Sequence, residues 1–152
     1  MESRLSKAHV ELVPGSLQAM YALHGAVDKV GLSKALTELV ALRTSQINGC
    51  SVCVHMHAAA LRKEGESDER IDTVAAWREA PWFTDAERAA LAFAEAVTRI
   101  ADRGDPVSDE VWDALAAHFG EEEMAAITVA IAATNVWNRL NAATRQPAGA
   151  YP

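Results

Sequence analysis

Apolar residues recur along this chain at spacings of three and four, and no run alternates long enough to make a convincing strand. Leu17, Met20, Tyr21, His24, Val27 and Val30 recur at helical spacing in a helix entered after Pro14-Gly15, capped by Ser16 and closed by Gly31. Ser33 opens a second helix carrying Leu36, Leu39, Val40, Arg43 and Ile47 on one stripe. Asn48-Gly49 accepts turn or left-handed backbone and stops it. A third helix starts around Cys50 and runs to Lys63-Glu64, with Gly65 as terminator. Ser67 begins a short helix through Ile71, Val74 and Ala75 to Trp77, which ends before Pro81.

Thr84-Asp85-Ala86-Glu87 has the spacing of a capping box, because a threonine at the cap and a glutamate three residues on satisfy each other's backbone N–H groups. The helix it opens places Ala86, Ala90, Phe93, Val97 and Ile100 on one stripe and leaves Glu87, Arg88, Glu95 and Arg99 elsewhere. After Gly104-Asp105-Pro106, Ser108 caps a helix through Val111, Trp112, Leu115 and Phe119. The triplet Glu121-Glu122-Glu123 suits the positive end of a last helix, which is apolar nearly all round from Ala125 to Val136. Such a helix is buried on all sides, inside the monomer or between subunits. The tail from Gln146 to Pro152 cannot continue it. The expected fold is all-α: one compact helical domain over residues 1–152, with about six to seven helices and a CxxC pair at the N-terminus of a central one.

Composition agrees. Half of the residues are hydrophobic but only 6% are aromatic, and alanine supplies much of the apolar share, which favours close helix packing. With Lys+Arg 14 against Asp+Glu 21, the net charge of −7 argues against nucleic acid or an anionic membrane as partner. Met1-Glu2-Ser3-Arg4-Leu5 lacks the apolar stretch of a signal peptide, and the apolar run from Ala125 to Val136 is too short to span a bilayer. A cytoplasmic protein is expected. In that reducing compartment a lone cysteine pair is more often catalytic or metal-binding than a structural staple.

The chemistry sits at Cys50 and Cys53, the only cysteines, with His57 one turn further on. Residues three and four apart share a helix face, so both thiols and the imidazole are neighbours. Unpaired N–H groups at a helix N-terminus favour a thiolate, and a nearby imidazole can remove the thiol proton. The second thiol can then close a disulfide on the oxidised first. A zinc site would need Cys50, Cys53, His57 and one more group such as Glu38 or His55, and no second ligand pair exists. His55 falls on a different side of the helix and reads as a surface or subunit-contact residue. Glu38, mid-helix and off the apolar stripe, is either solvated or, if the helices fold back across Asn48-Gly49, the carboxylate that holds His57.

Glu38, eleven residues, Cys50-x-x-Cys53, three residues and His57 together resemble the core motif of the AhpD-like alkylhydroperoxidase family, part of the carboxymuconolactone decarboxylase superfamily. The segments Ala76-Trp77-Arg78-Glu79-Ala80-Pro81-Trp82-Phe83-Thr84 and Asn135-Val136-Trp137-Asn138-Arg139 match as well, so the resemblance runs from about Leu36 to about Arg145. It implies an all-helical trimer or hexamer that reduces hydroperoxides without a cofactor or metal. On this chain it implies that Cys53 attacks the peroxide, Cys50 resolves the product into a disulfide, and Glu38 and His57 relay the proton. A dithiol donor of lipoyl type would restore the pair. Val52 stands where the best-known branch carries a histidine between the cysteines. The alternative expectation is a non-catalytic thiol–disulfide sensor or partner using the same pair. Trp77, Trp82 and Phe83 are expected in core or interface packing or around an apolar pocket, and Asn135 and Asn138 as bridges to backbone groups.

Overall fold

A computed structural model describes residues 2–5, 7–101 and 103–149. Met1 and Ala150-Tyr151-Pro152, from the N-terminal segment and the tail considered above, lie outside the described residues. The chain forms α1 (His9–Leu12), α2 (Ser16–Asp28), α3 (Lys34–Asn48), α4 (Ser51–Lys63), α5 (Asp68–Thr73), a 3-10 turn (Val74–Ala76), α6 (Asp85–Thr98), α7 (Asp109–Ala116) and α8 (Glu121–Thr144). No strand occurs among the described residues. The helix beyond the expected number is α1, a single turn ahead of Pro14 with too few residues to leave a periodic pattern.

Most boundaries follow their side chains. Ser33 Oγ accepts the Leu36 N–H at 3.2 Å, and Ser67 caps α5 in the same manner. Thr84 and Glu87 form the expected capping box. α2 differs: Gly15, at φ 85°, occupies its N-cap, and Ser16 lies inside the helix with its Oγ buried and unpartnered among the described residues.

α3 is the central element, packed against α4, α6 and α8. Two of its faces are apolar. Leu36 and Val40 join Phe93 of α6, Leu115 of α7 and Ile127 and Ile131 of α8 in one cluster. Leu39 and Leu42 join Leu61 of α4, Ile71 of α5, Val74, Trp77, Phe83 and Leu91 in a second. Of the aromatic trio, Trp77 and Phe83 therefore pack in the core while Trp82 is exposed.

Burial departs from the apolar stripes in three places. The α2 face is buried only at Val27, and Tyr21 is 63% exposed, because α2 packs chiefly on α8 and little lies beyond it. α8 keeps an open edge at Ala125, Ala132 and Val136, so a single chain does not enclose it. Glu95, read as lying off the apolar stripe of α6, is 6% exposed. Its burial has a clear electrostatic reason. Its carboxylate accepts from Arg43 Nε at 2.7 Å, Trp77 Nε1 at 2.9 Å, Arg78 Nη1 at 2.8 Å and Arg99 Nη1 at 3.1 Å. Burial pushes this carboxyl up, but the donors from Trp77, Arg78 and Arg43 outweigh it and hold the group at about 2.

A carboxyl lowered from near 4.5 to about 2 stabilises the fold above its unfolded value, and that contribution fades as pH falls from 4.5 towards 2. Glu95→Gln is therefore expected to cost about 3 kcal/mol at neutral pH, since it leaves the arginines facing a neutral amide. Urea unfolding of both proteins at pH 7 and pH 3 checks this: the gap should shrink at the lower pH, and an equal gap at both would contradict it.

Candidate active site

The site is assembled at the elbow between α3 and α4. Gly49, at φ 68°, takes the left-handed backbone that ends α3, its N–H bonding to the Gln46 carbonyl at 3.3 Å. The next N–H, that of Cys50, bonds to the Ser45 carbonyl at 3.1 Å, so Cys50 is fixed to the last turn of α3 before α4 starts. Cys50 is the N-cap of α4, and its sulfur accepts the Cys53 N–H at 3.4 Å. The two sulfurs are joined in a disulfide with a Cα–Cα separation of 5.3 Å. Both cysteines are deeply buried, at 1% and 4% exposure, with Val52 buried between them.

Because α4 folds back along α3, Glu38 faces α4, and the solvated alternative for this residue does not hold. Glu38 Oε2 lies 2.7 Å from His57 Nδ1, and Oε1 lies 3.0 Å from Lys34 Nζ. Burial pushes the Glu38 carboxyl up, but the His57 ring, followed by Lys34, more than offsets this and holds it below its usual value. With the carboxylate accepting, Nδ1 carries a ring proton, which leaves Nε2 as the ring nitrogen free of that contact. Glu38 and His57 are thus paired, and Cys50 and Cys53 are joined one helical turn before His57 on α4, whereas His55 and Met56 point to solvent.

α8 supplies the other wall. Asn48, the last residue of α3, donates from Nδ2 to Asn135 Oδ1 at 2.9 Å and to Asn138 Oδ1 at 2.8 Å. Asn138 Nδ2 in turn donates to Ser45 Oγ at 3.0 Å, and Asn141 Nδ2 approaches Cys53 Sγ at 3.4 Å. Asn135 also donates to the Ile131 carbonyl, so it bridges backbone as expected, while Asn138 bridges side chains. Beyond them, Trp137 Nε1 donates to His24 Nε2 at 3.0 Å. Burial lowers the His24 pKa, with the His57 charge adding to the effect, which suits a neutral ring that accepts.

Sequence reasoning passed over Asn141, Asn48, Lys34 and His24 as site residues. A usable signal existed for two of them: Asn141 continues the three-residue spacing of Asn135 and Asn138 on an otherwise apolar helix, and Lys34 is four residues from Glu38. Two cavities, of about 360 and 260 Å³, lie around Arg78 and not at the cysteines. Among the described residues, no group of three or more Cys, His, Asp or Glu side chains is arranged to hold a metal ion, and no helix is long and apolar enough to cross a membrane.

Comparison with known proteins finds close likenesses. Residues 14–96, which include all four of the motif's residues, match the carboxymuconolactone decarboxylase family. The uncharacterized protein YdfG of Bacillus subtilis strain 168 is 32% identical over 143 residues, 94% of this chain and 95% of that protein. A protein of unknown function from Agrobacterium tumefaciens, described with reference to AhpD and antioxidant defence, superimposes with a TM-score of 0.89 at 39% identity, covering 97% of this chain and 98% of that one. The debrominase Bmp8 superimposes with a TM-score of 0.77 at 26% identity, covering 88% of this chain and 71% of that one.

Replacing Asn48 by alanine strips a donor from two asparagine carbonyls packed under the elbow. Asn48→Ala is expected to cost about 2 kcal/mol by urea unfolding, as the buried Asn138 carbonyl loses its donor while Asn135 Oδ1 keeps Arg139 Nη1 at 2.8 Å. A change within a few tenths of a kcal/mol would mean that water replaces the amide.

Proposed function

The chain belongs to the carboxymuconolactone decarboxylase family, in its AhpD-like branch, and from that premise we propose that it is a cysteine-based hydroperoxide reductase. One observation carries the reading: a cysteine pair at the start of α4 comes one helical turn before a histidine whose Nδ1 is held by a half-buried carboxylate. The likeness to a protein described in terms of antioxidant defence supports it.

In the proposed cycle, His57 Nε2 takes the Cys53 thiol proton, directly or through water, and Glu38 stabilises the imidazolium. The Cys53 thiolate attacks a peroxide oxygen and the O–O bond breaks. The sulfur becomes a sulfenic acid, and the departing alkoxide takes the proton from His57. The Cys50 thiol then displaces hydroxide from the sulfenic sulfur, which leaves as water, and the disulfide forms. Two electrons have passed from the dithiol to the peroxide. A small dithiol donor of lipoyl type returns them, with two protons, by thiol–disulfide exchange. The proposal extends to a cytoplasmic homo-oligomer, trimer or hexamer, in which further copies cover apolar residues such as Tyr21 and Val136.

A second reading, a stoichiometric thiol–disulfide sensor, is favoured by the burial of both sulfurs, which slows access. Steady-state peroxide consumption with a dithiol donor separates the two. The reductase reading expects sustained turnover, abolished in Cys53→Ser. Cys50→Ser should be oxidised once at Cys53 without cycling, and Glu38→Gln and His57→Gln should lose about a hundredfold in rate. A single oxidation of the parent with no turnover would support the sensor, and cysteine variants that cycle like the parent would remove both readings. The likeness to a debrominase makes a brominated aromatic the informative competing substrate.

A further inference from the structure

The two sulfurs have different hydrogen-bond environments. Cys50, at the N-cap, faces a backbone donor of its own helix, the Cys53 N–H at 3.4 Å. Cys53 lies inside the first turn, and the donor at its sulfur comes from α8, Asn141 Nδ2 at 3.4 Å. Asn141 is 3% exposed, so its amide is desolvated, and a buried donor strongly favours an acceptor that carries charge. A disulfide sulfur is a weak acceptor, whereas the thiolate that reduction and deprotonation create is a strong one.

The donor is also held in place. One turn earlier on α8, Asn138 is bonded to Ser45 and Asn48, which fixes α8 against the residues leading into Cys50. Asn141 therefore meets Cys53 at a register set by the elbow, and the amide stands ready before the thiolate forms. Val52 leaves no imidazole between the cysteines, and it is itself buried.

We infer that Asn141 is a further catalytic residue: its side-chain amide donates to the Cys53 thiolate and makes Cys53, rather than Cys50, the sulfur that attacks. The division of labour follows from the geometry. His57 and Glu38 handle the proton, and Asn141 stabilises the charge left behind. The catalytic role rests on the reductase reading, but the stabilisation of the thiolate does not and is measurable without peroxide.

The test measures iodoacetamide alkylation against pH on reduced protein with one cysteine at a time. With Cys50→Ser, Asn141→Leu is expected to slow Cys53 alkylation at neutral pH about tenfold and to move the midpoint of the profile to higher pH, from the loss of a charged hydrogen bond. Asn141→Ser, which keeps a donor, should recover part of the shift. With Cys53→Ser, the Cys50 profile should not respond to Asn141→Leu. Should the leucine variant fail to fold, Asn141→Asp puts a negative charge in the same shape and should move the Cys53 midpoint up further. An unchanged Cys53 midpoint, or equal movement for both sulfurs, overturns the inference. Parent peroxide turnover is measured in parallel: its absence with a shifted midpoint removes the reductase reading alone, and its presence with an unshifted midpoint removes the role of Asn141 alone.

Discussion

The reversal of chain direction at Gly49 is the constraint on which the site depends. A single left-handed residue turns α4 back along α3, and an added Cβ there would meet nothing within 4 Å, so glycine is favoured by its φ of 68° and not by space. Three consequences follow from that turn. Glu38 comes to face His57 across two helices, Cys50 becomes the N-cap of α4, and Asn48 is left at the end of α3, where α8 can take hold of it. The Glu38 and His57 side chains, nineteen residues apart, thus meet because one backbone position has an unusual conformation.

Buried charge is handled in a consistent way. Glu95 is tied to three arginines and a tryptophan, and Glu38 to a histidine and a lysine. Both carboxyls are held below their usual range although burial alone would raise them. The two differ in what surrounds them. The partners of Glu95 include three permanent cations, which locks α3, α6 and the Trp77 segment together and leaves nothing to titrate near neutrality. The principal partner of Glu38 is an imidazole, the one side chain that exchanges protons in that range. The same device serves architecture in one place and, in the proposed cycle, proton transfer in the other.

Local signals made much of this legible in the sequence. Ser33, Ser67 and Thr84 cap the helices they were expected to cap, Gly49 stops α3, and Cys50 starts α4, because each of these choices is settled by neighbouring atoms. Glu38 could be tied to His57 only as one of two alternatives, since the pairing depends on how two helices cross. Glu95 was misplaced because a glutamate off an apolar stripe looks solvated until its arginine partners, Arg43 from α3 and Arg78 from the segment before α6, are seen in space. Asn141 was missed for a related reason: its contact with Cys53 spans 88 positions, and nothing in α8 alone reveals which helix its amide meets. The exposed side of α2 reflects a different limit, for periodicity finds an apolar face without saying whether the same chain covers it.

In the proposed cycle a hydroperoxide is reduced at Cys53 and Cys50 completes the reaction within the same chain. Mass measurement of fully reduced protein, quenched after one equivalent of an organic hydroperoxide and mapped by proteolysis, tests this most directly. The expected product has lost two hydrogens and carries an internal bond between Cys50 and Cys53, while the Cys50→Ser protein instead gains one oxygen at Cys53. Retention of both free thiols in the parent, or oxygen added at Cys50 with Cys53 unmodified, would contradict it.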